Sequence, residues 1–270
     1  MQNKNLSDNN IQESILEKSD RSLFDQIAEK YYRKDLTPSS RLARQHRLAQ
    51  TIGVIPTFTD AAVLEVGCGA GFTARYLKKY YASYTGIDYS DNLIGYAGQY
   101  NMTGNAEFQA VSLKEYKPKR KFDIVLMIGV LHHMENAEQG LAQVIDLLKP
   151  GGWVLVNEPQ SSNLLIQLLR IIRTRTDAAY SEDQHNFSPS ELEQLFDKAG
   201  LQNIILKPQG FFSTPFAEVI IQPQFIARPL AQLMVLLDKS LESCCSPLLK
   251  PLSWNIIAAG QLPNNDSTRP

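Results

Sequence analysis

Apolar stretches of five to seven residues alternate with segments of helical periodicity through the middle of the chain. The pattern predicts five strands and three helices there: strands at 62–66, 83–87, 106–111, 122–128 and 152–157, and helices at 71–80, 91–100 and 137–148. Strands that alternate with helices form parallel sheets covered on both faces. The pattern therefore predicts an α/β chain with a doubly wound, Rossmann-like sheet.

Helical periodicity also precedes and follows this region. Residues 11–55 predict an N-terminal helical cap, and "FSPSELEQLFDKAGL" predicts a capped helix that leads to a strand at 201–207. The last strand is predicted at 253–260. These limits assign residues 56–210 and 252–262 to the core, with a disordered tail at 1–10 and a polar tail at 263–270.

A long apolar insertion, residues 211–251, separates the last two predicted strands. From Phe211 to Leu237 only Glu218 and Arg228 are charged, and three prolines predict short pieces. If the preceding strand is parallel to the others, the insertion starts at the sheet edge where ligands bind. The composition fits a lid over an apolar or amphiphilic acceptor. It fits equally well a segment that packs on the N-terminal helices or forms a homodimer interface.

Composition narrows the class of partner. The 27 basic residues nearly balance the 28 acidic residues, so no electrostatic footprint for nucleic acid stands out and a small-molecule acceptor is favoured, with lipid-like acceptors included. No apolar run is long enough for a transmembrane segment, and the polar N-terminus predicts a cytoplasmic protein. The cysteines Cys68, Cys244 and Cys245 predict structural roles, and the four histidines lack the spacing of a metal site.

The stretch "VLEVGCGAGF", Val63 to Phe72, predicts a ligand-binding turn after the first strand. Gly67 and Gly69 allow the backbone to pass close to a ligand, and Asp88 follows 21 residues after Gly67, at the end of the second strand. A carboxylate there can accept both hydroxyl hydrogens of a ribose. A nicotinamide dinucleotide also fits this loose glycine pattern, although the charge of Glu65 is unfavourable beside a pyrophosphate.

Four motifs, "VLEVGCGAGF", "GIDYS", "FDIVLMIGVLHH" and "LKPGGWVLV", resemble those of the class I S-adenosylmethionine-dependent methyltransferases, in the same order and at the same spacing. The resemblance implies a seven-stranded sheet whose last strand is antiparallel. It also implies S-adenosyl-L-methionine as the cofactor, bound over the first and second strands.

The resemblance further implies which positions bind the cofactor. Gly67, Cys68 and Gly69 would border its methionine part with Glu65 supporting the loop, and Asp88 would bind the ribose. Ser112 stands where many relatives carry an acid for the adenine amino group. The remaining implied contacts are Tyr89, Leu93 and Leu113 near the adenine, and Ile128 and Gly129 beside the cofactor.

His132 and His133 are the candidate catalytic bases, because an imidazole titrates near neutral pH and can take a proton from an acceptor hydroxyl. Packing is the alternative role for both histidines. Tyr31, Tyr32 and His185 are candidate substrate-binding residues, with structural roles as their alternative.

The predicted function is transfer of a methyl group to a small, apolar or amphiphilic acceptor, with O-methylation favoured over transfer to nitrogen or carbon. A non-catalytic methyltransferase-fold partner protein and a nicotinamide-dependent reductase remain as alternatives.

Overall fold

A computed structural model describes residues 15–56, 58–101, 104–163, 186–243 and 250–264. The predicted tail at 1–10, the last six residues of the predicted tail at 263–270, His185, Cys244 and Cys245 lie outside the described residues.

Seven strands form one sheet with the order β3-β2-β1-β4-β5-β7-β6. Strand β7 runs antiparallel to both of its neighbours, while the other pairings are parallel. This confirms the predicted α/β class, the seven strands and the antiparallel last strand. The strands are β1 Ala61–Val66, β2 Tyr81–Asp88, β3 Ala106–Ala110, β4 Phe122–Ile128, β5 Leu148–Pro159, β6 Gln202–Gln209 and β7 Asn255–Gln261.

Eight α-helices are described: α1 Ile15–Leu36, α2 Pro38–Ile52, α3 Phe72–Leu77, α4 Asp91–Tyr100, α5 Ala137–Asp146, α6 Pro189–Lys198, α7 Thr214–Glu218 and α8 Gln224–Ser243. The predicted helix at 137–148 is too long, because Leu148 pairs with Phe122 and already belongs to β5. Helix α6 has the predicted capping box, in which Ser188 and Glu191 satisfy each other's backbone N–H groups.

The core consists of two apolar layers, one on each face of the sheet, as the alternation of side chains along the strands requires. One layer contains Leu64, Val125 and Val156 of the strands with Leu141 of α5 and Leu192 of α6. The opposite layer contains Val63, Leu126, Leu155, Leu48 of α2 and Phe72 of α3. Helices α2 and α3 therefore cover the second face.

The insertion between β6 and β7 packs on helix α2. Ala43 of α2, Phe216 of α7, and Ala227 and Ala231 of α8 form a small buried cluster. The expectation that Pro229 divides this region is wrong, since α8 runs unbroken from Gln224 to Ser243. Pro229 lies in the second turn of α8, where the missing N–H removes only one hydrogen bond of the helix.

Two buried carboxylates attach α8 to the loop that follows β6. Asp238 accepts hydrogen bonds from the backbone N–H groups of Phe212 and Ser213, at 2.8 and 2.9 Å. Glu242 accepts one from the N–H of Gly210 at 2.8 Å. Among the described helices, none is long and apolar enough to cross a bilayer.

Candidate functional site

The glycine loop lies where β1 ends, between the ends of β2 and β4. Gly67 has a φ of +68° and donates its N–H to the carbonyl of Ile87 at 2.8 Å. A Cβ atom at Gly67 would lie 2.4 Å from Cγ2 of Val130. Both the backbone conformation and the close approach therefore require glycine here.

Asp88, at the end of β2, is fixed by this loop. Its Oδ2 accepts from the N–H of Gly69 at 2.9 Å, and its Oδ1 accepts from the N–H of Ser90 at 2.9 Å. Burial raises the pKa of Asp88 to about 6, although the two backbone hydrogen bonds oppose that shift. The carboxylate is therefore ionised at neutral pH, and each oxygen is already oriented by one backbone N–H donor.

A cleft of about 120 Å³ opens between the ends of β1, β2 and β4. Five of the predicted cofactor-binding residues line it: Gly67, Asp88, Tyr89, Ser112 and Leu113. His133 lines the same cleft. The structure thus brings together the predicted ribose-binding acid, the glycine turn and the residues expected near the adenine.

Glu65, in β1 just before the loop, and Cys68, within the loop, are both buried. The Glu65 carboxyl accepts hydrogen bonds from Thr73 Oγ1 at 2.8 Å and from the Tyr84 hydroxyl, so it links β1 to α3 and β2. Burial raises the pKa of Glu65 to about 7 against the effect of these two donors. Burial likewise raises the pKa of the Cys68 thiol, which packs against Gly86. This position of Glu65 fits the expected support of the loop.

Leu93 and Ser112 were also predicted to lie near the adenine, and each has contacts within the protein. Leu93 packs against Ala28 of α1 and Ala70, beneath the N-terminal cap. The Ser112 hydroxyl donates to the Glu115 carboxylate at 2.9 Å, so an acid does lie near this position, three residues later in the sequence.

His132 is paired with a buried acid that the sequence analysis missed. Its Nδ1 lies 2.7 Å from Oε2 of Glu158, at the end of β5. Oε1 of Glu158 accepts from the N–H groups of Val130 and Leu131, at 3.0 and 2.8 Å. Burial alone would raise the pKa of Glu158, but His132 and the backbone donors outweigh it and lower that pKa. The carboxylate only accepts, so Nδ1 of His132 carries the proton in this pair.

The sequence does indicate Glu158, because it is a charged residue near the end of the largely apolar run "WVLVNEP". The carboxyl ends of parallel strands meet at one edge of the sheet, so an acid there lies beside the residues that end β1, β2 and β4.

Arg47 of α2 reaches the same edge from the cap. Its Nε and Nη2 donate to the side chain and the carbonyl of Asn157, both at 3.0 Å, and its Nη1 donates to Glu218 at 3.3 Å. A Cβ atom at Gly129 would lie 3.5 Å from Arg47 Nη2 and 3.8 Å from His132 Cε1. The guanidinium of Arg47 and the imidazole of His132 therefore both border the space in front of Gly129, whose φ is +69°. Ile128, which was predicted together with Gly129 to lie beside the cofactor, ends β4 and pairs with Asn157 of β5.

His133 and the two predicted tyrosines connect the cap to the site. Nδ1 of His133 lies 2.9 Å from Oδ2 of Asp20, and its ring contacts Phe24 edge-on, both on α1. Tyr31 packs edge-on against Phe24, and Tyr32 stacks on Tyr96 of α4 at 4.6 Å. The contact between Tyr32 and Tyr96 joins α1 to α4, and substrate binding by the two tyrosines stays a prediction.

Comparison with known proteins extends these observations. The sequence profile of the family described as "Methyltransferase domain" matches residues 40–206, which is more than half of the chain. The ubiquinone biosynthesis O-methyltransferase of Burkholderia pseudomallei is 26% identical over 154 residues, covering 54% of this chain and 66% of that protein. The enzyme of the same name from Thiobacillus denitrificans is 29% identical over 153 residues, covering 52% and 64%. The chain thus spans just under two thirds of the length of these relatives.

Solved structures share the fold. A methyltransferase from Thermotoga maritima, described as S-adenosylmethionine-dependent, superposes with a TM-score of 0.62 at 17% identity over 90% of this chain and 99% of its own. Magnesium protoporphyrin IX methyltransferase from Synechocystis, solved with bound S-adenosylhomocysteine, gives 0.59 at 14% identity over 90% and 97%. With the matched domain, the sheet order and the glycine loop, this chain belongs to the S-adenosylmethionine-dependent methyltransferases.

Proposed function

We propose that this methyltransferase transfers a methyl group to a hydroxyl oxygen of a small, apolar or amphiphilic acceptor, with His132 as the base. The observation that carries the proposal is the pair formed by His132 and the buried Glu158 at the sheet edge that also holds the glycine loop. Support for oxygen as the methylated atom comes from the names of the ubiquinone biosynthesis O-methyltransferases. Family membership decides against the nicotinamide-dependent reductase.

The residues at the cleft fit S-adenosylmethionine. Gly67 and Gly69 present backbone without side chains, and Asp88 is an oriented acceptor for ribose hydroxyls. When bound, the cofactor supplies a methyl group on a positively charged sulfur, which is a good electrophile without further activation. The protein therefore has to align the acceptor, exclude water and accept one proton.

The proton goes to His132. During methyl transfer to an acceptor hydroxyl, Nε2 of His132 would accept the hydroxyl proton. Glu158, held by the N–H groups of Val130 and Leu131, keeps the imidazole oriented through Nδ1 and stabilises the imidazolium that results. General base catalysis of this kind contributes about 10²- to 10⁴-fold to a rate.

Arg47 is the proposed positioning residue for the acceptor. Its guanidinium is fixed by Asn157 and Glu218 and borders the same space in front of Gly129 as the imidazole of His132. Such a group can donate to a second oxygen of an acceptor whose first oxygen faces the imidazole. This arrangement favours acceptors with two neighbouring oxygens, such as catechols.

The test is methyl transfer from a labelled donor to catechol, to a long-chain alkylcatechol and to aniline. We expect label on the catechols, loss of about 100-fold or more of kcat in His132→Asn and Glu158→Gln, and retained affinity for S-adenosylhomocysteine in both. Glu193→Gln on α6 is the matched control for Glu158→Gln, because Glu193 is exposed and lies outside the cleft. Transfer to aniline alone, or full activity of His132→Asn, contradicts the proposal. Cofactor binding with no transfer to any acceptor supports the non-catalytic partner protein instead.

The cytoplasmic location stays a prediction from the sequence.

A further inference from the structure

Helix α8 exposes an apolar stripe. Phe225 is 79% exposed, Leu236 60%, Ile226 54% and Leu233 50%. Phe212 and Val219, in the segments just before α8, are 47% and 45% exposed. Isolated apolar residues on a surface are normal, but a row of them on one helix marks a site of interaction with a protein or a membrane.

The stripe is not the side by which α8 packs on its own protein. That side carries the small residues Ala227 and Ala231, which are buried against Ala43 of α2. The helix is therefore apolar on two sides. Within the part of the chain that the structure describes, only the inner side is buried against other side chains.

The acidic and basic residues of α8 lie on different sides of the helix. The helix has four charged residues, and the two acids, Asp238 and Glu242, are fully buried and bound to the loop after β6. The two cations, Arg228 and Lys239, are exposed. The outward surface thus combines large apolar side chains with positive charge alone, although the whole chain is nearly neutral. An apolar face flanked by cations is typical of helices that lie in the interface of an anionic bilayer.

A second copy of this chain fits the stripe less well. Twenty residues of helix are about 30 Å long and about 10 Å wide, so the stripe offers about 300 Å², well below the roughly 800 Å² per partner of a stable interface. Antiparallel pairing of two α8 helices about a centre near Leu233 would also place Arg228 opposite Lys239 of the other copy. Like charges at that position oppose self-association.

We propose that α8 docks the protein on an anionic membrane surface. In this arrangement Phe225, Leu233 and Leu236 enter the boundary between headgroups and acyl chains, while Arg228 and Lys239 contact lipid phosphates. The proposal is separate from the identity of the acceptor, because binding to a vesicle requires no methyl transfer.

The test is co-sedimentation of the full chain with vesicles of phosphatidylcholine alone and of phosphatidylcholine with phosphatidylglycerol. We expect binding to the anionic vesicles, weakened about 30-fold by Arg228→Gln with Lys239→Gln, since each cation near an anionic surface contributes about 1 kcal/mol. We expect a loss of about 100-fold in the triple variant Phe225→Gln, Leu233→Gln, Leu236→Gln.

The matched control is Leu36→Gln with Tyr80→Gln, which changes two side chains of similar exposure, 46% and 52%, outside the insertion. Control binding equal to that of the unmodified protein supports the assignment to α8. No binding to anionic vesicles, or equal binding to neutral and anionic vesicles, overturns the proposal. So does a dimer in analytical ultracentrifugation that the triple variant disperses, because α8 is then an interface between copies of this chain.

Discussion

Glu65→Gln is expected to stabilise the cofactor-free protein at alkaline pH. Glu65 is buried in β1 just before the glycine loop, and its pKa of about 7 exceeds the ordinary 4.5 of a glutamate because burial penalises the charged form. This difference corresponds to roughly 3 kcal/mol of unfolding free energy. Glutamine has the same shape and no charge to desolvate, and its amide can still bind the Thr73 and Tyr84 hydroxyls.

The pH window follows from the direction of the pKa shift. Below about pH 4.5 the carboxyl is protonated in the folded and unfolded states, so burial of a charge costs nothing. Between 4.5 and about 7 the folded protein holds a proton that the unfolded chain releases, and stability therefore falls as the pH rises. Above pH 7 the full cost is present. We expect the variant to gain about 3 kcal/mol over the unmodified protein at pH 8 and almost nothing at pH 4.5.

Urea denaturation at several pH values between 4.5 and 8 measures this gain. The matched control is Glu193→Gln on α6, because Glu193 is exposed and the same change removes no buried charge. Unfolding free energies of Glu65→Gln and the unmodified protein that differ by the same amount at every pH would refute the reasoning, since the gain would then have no connection with ionisation.

Three further predictions concern the loop and the catalytic pair. Because the pKa of Asp88 is about 6 and the ionised form accepts ribose hydroxyls, affinity for S-adenosylhomocysteine in calorimetry should be about tenfold weaker at pH 5 than at pH 7; a flat profile contradicts this role. Glu158→Gln should lose about 1–3 kcal/mol of unfolding free energy at pH 7. The loss should become progressively smaller as the pH falls through the lowered pKa of Glu158, which denaturation at pH 7 and at acidic pH checks. Gly67→Ala should lose about 2–4 kcal/mol, and adding Val130→Ala should restore part of that loss; no recovery in the double variant argues against the close contact.

The sheet was predictable because each element carries its own local signal. Helix α4 begins and ends as the sequence predicts, since Ser90 supplies the cap and accepts from the N–H of Leu93. Strand β4 likewise has the predicted limits, because an apolar run such as that of residues 124–128 is what a strand buried on both faces requires. The antiparallel direction of β7 came from the family resemblance. Its position between β5 and β6 was not predicted, because it depends on pairing between distant segments.

Residues of the site were predictable only where they follow a strand. Asp88 ends β2 and His133 follows the end of β4, so their meeting in the cleft follows from the parallel sheet. Arg47 lies on α2 among other polar residues, and its approach to Asn157 depends on how the cap packs, which no local pattern encodes. The continuity of α8 was missed for the opposite reason, because Pro229 is a strong local signal that the packing of Ala227 and Ala231 on α2 outweighs.

The two ends of the insertion are joined by the sheet itself. Gln209 of β6 pairs with Asn255 of β7, and the N–H of Trp254 donates to the carbonyl of Gly210 at 2.7 Å. A segment that leaves and re-enters a fold at adjacent points can change in length and sequence without altering the strands that flank it. The insertion, residues 211–251, is therefore an exchangeable module. Evolution or an engineer could replace it with another segment while the cofactor-binding half of the sheet stays unchanged, and Arg47 would then lose its hydrogen bond to Glu218.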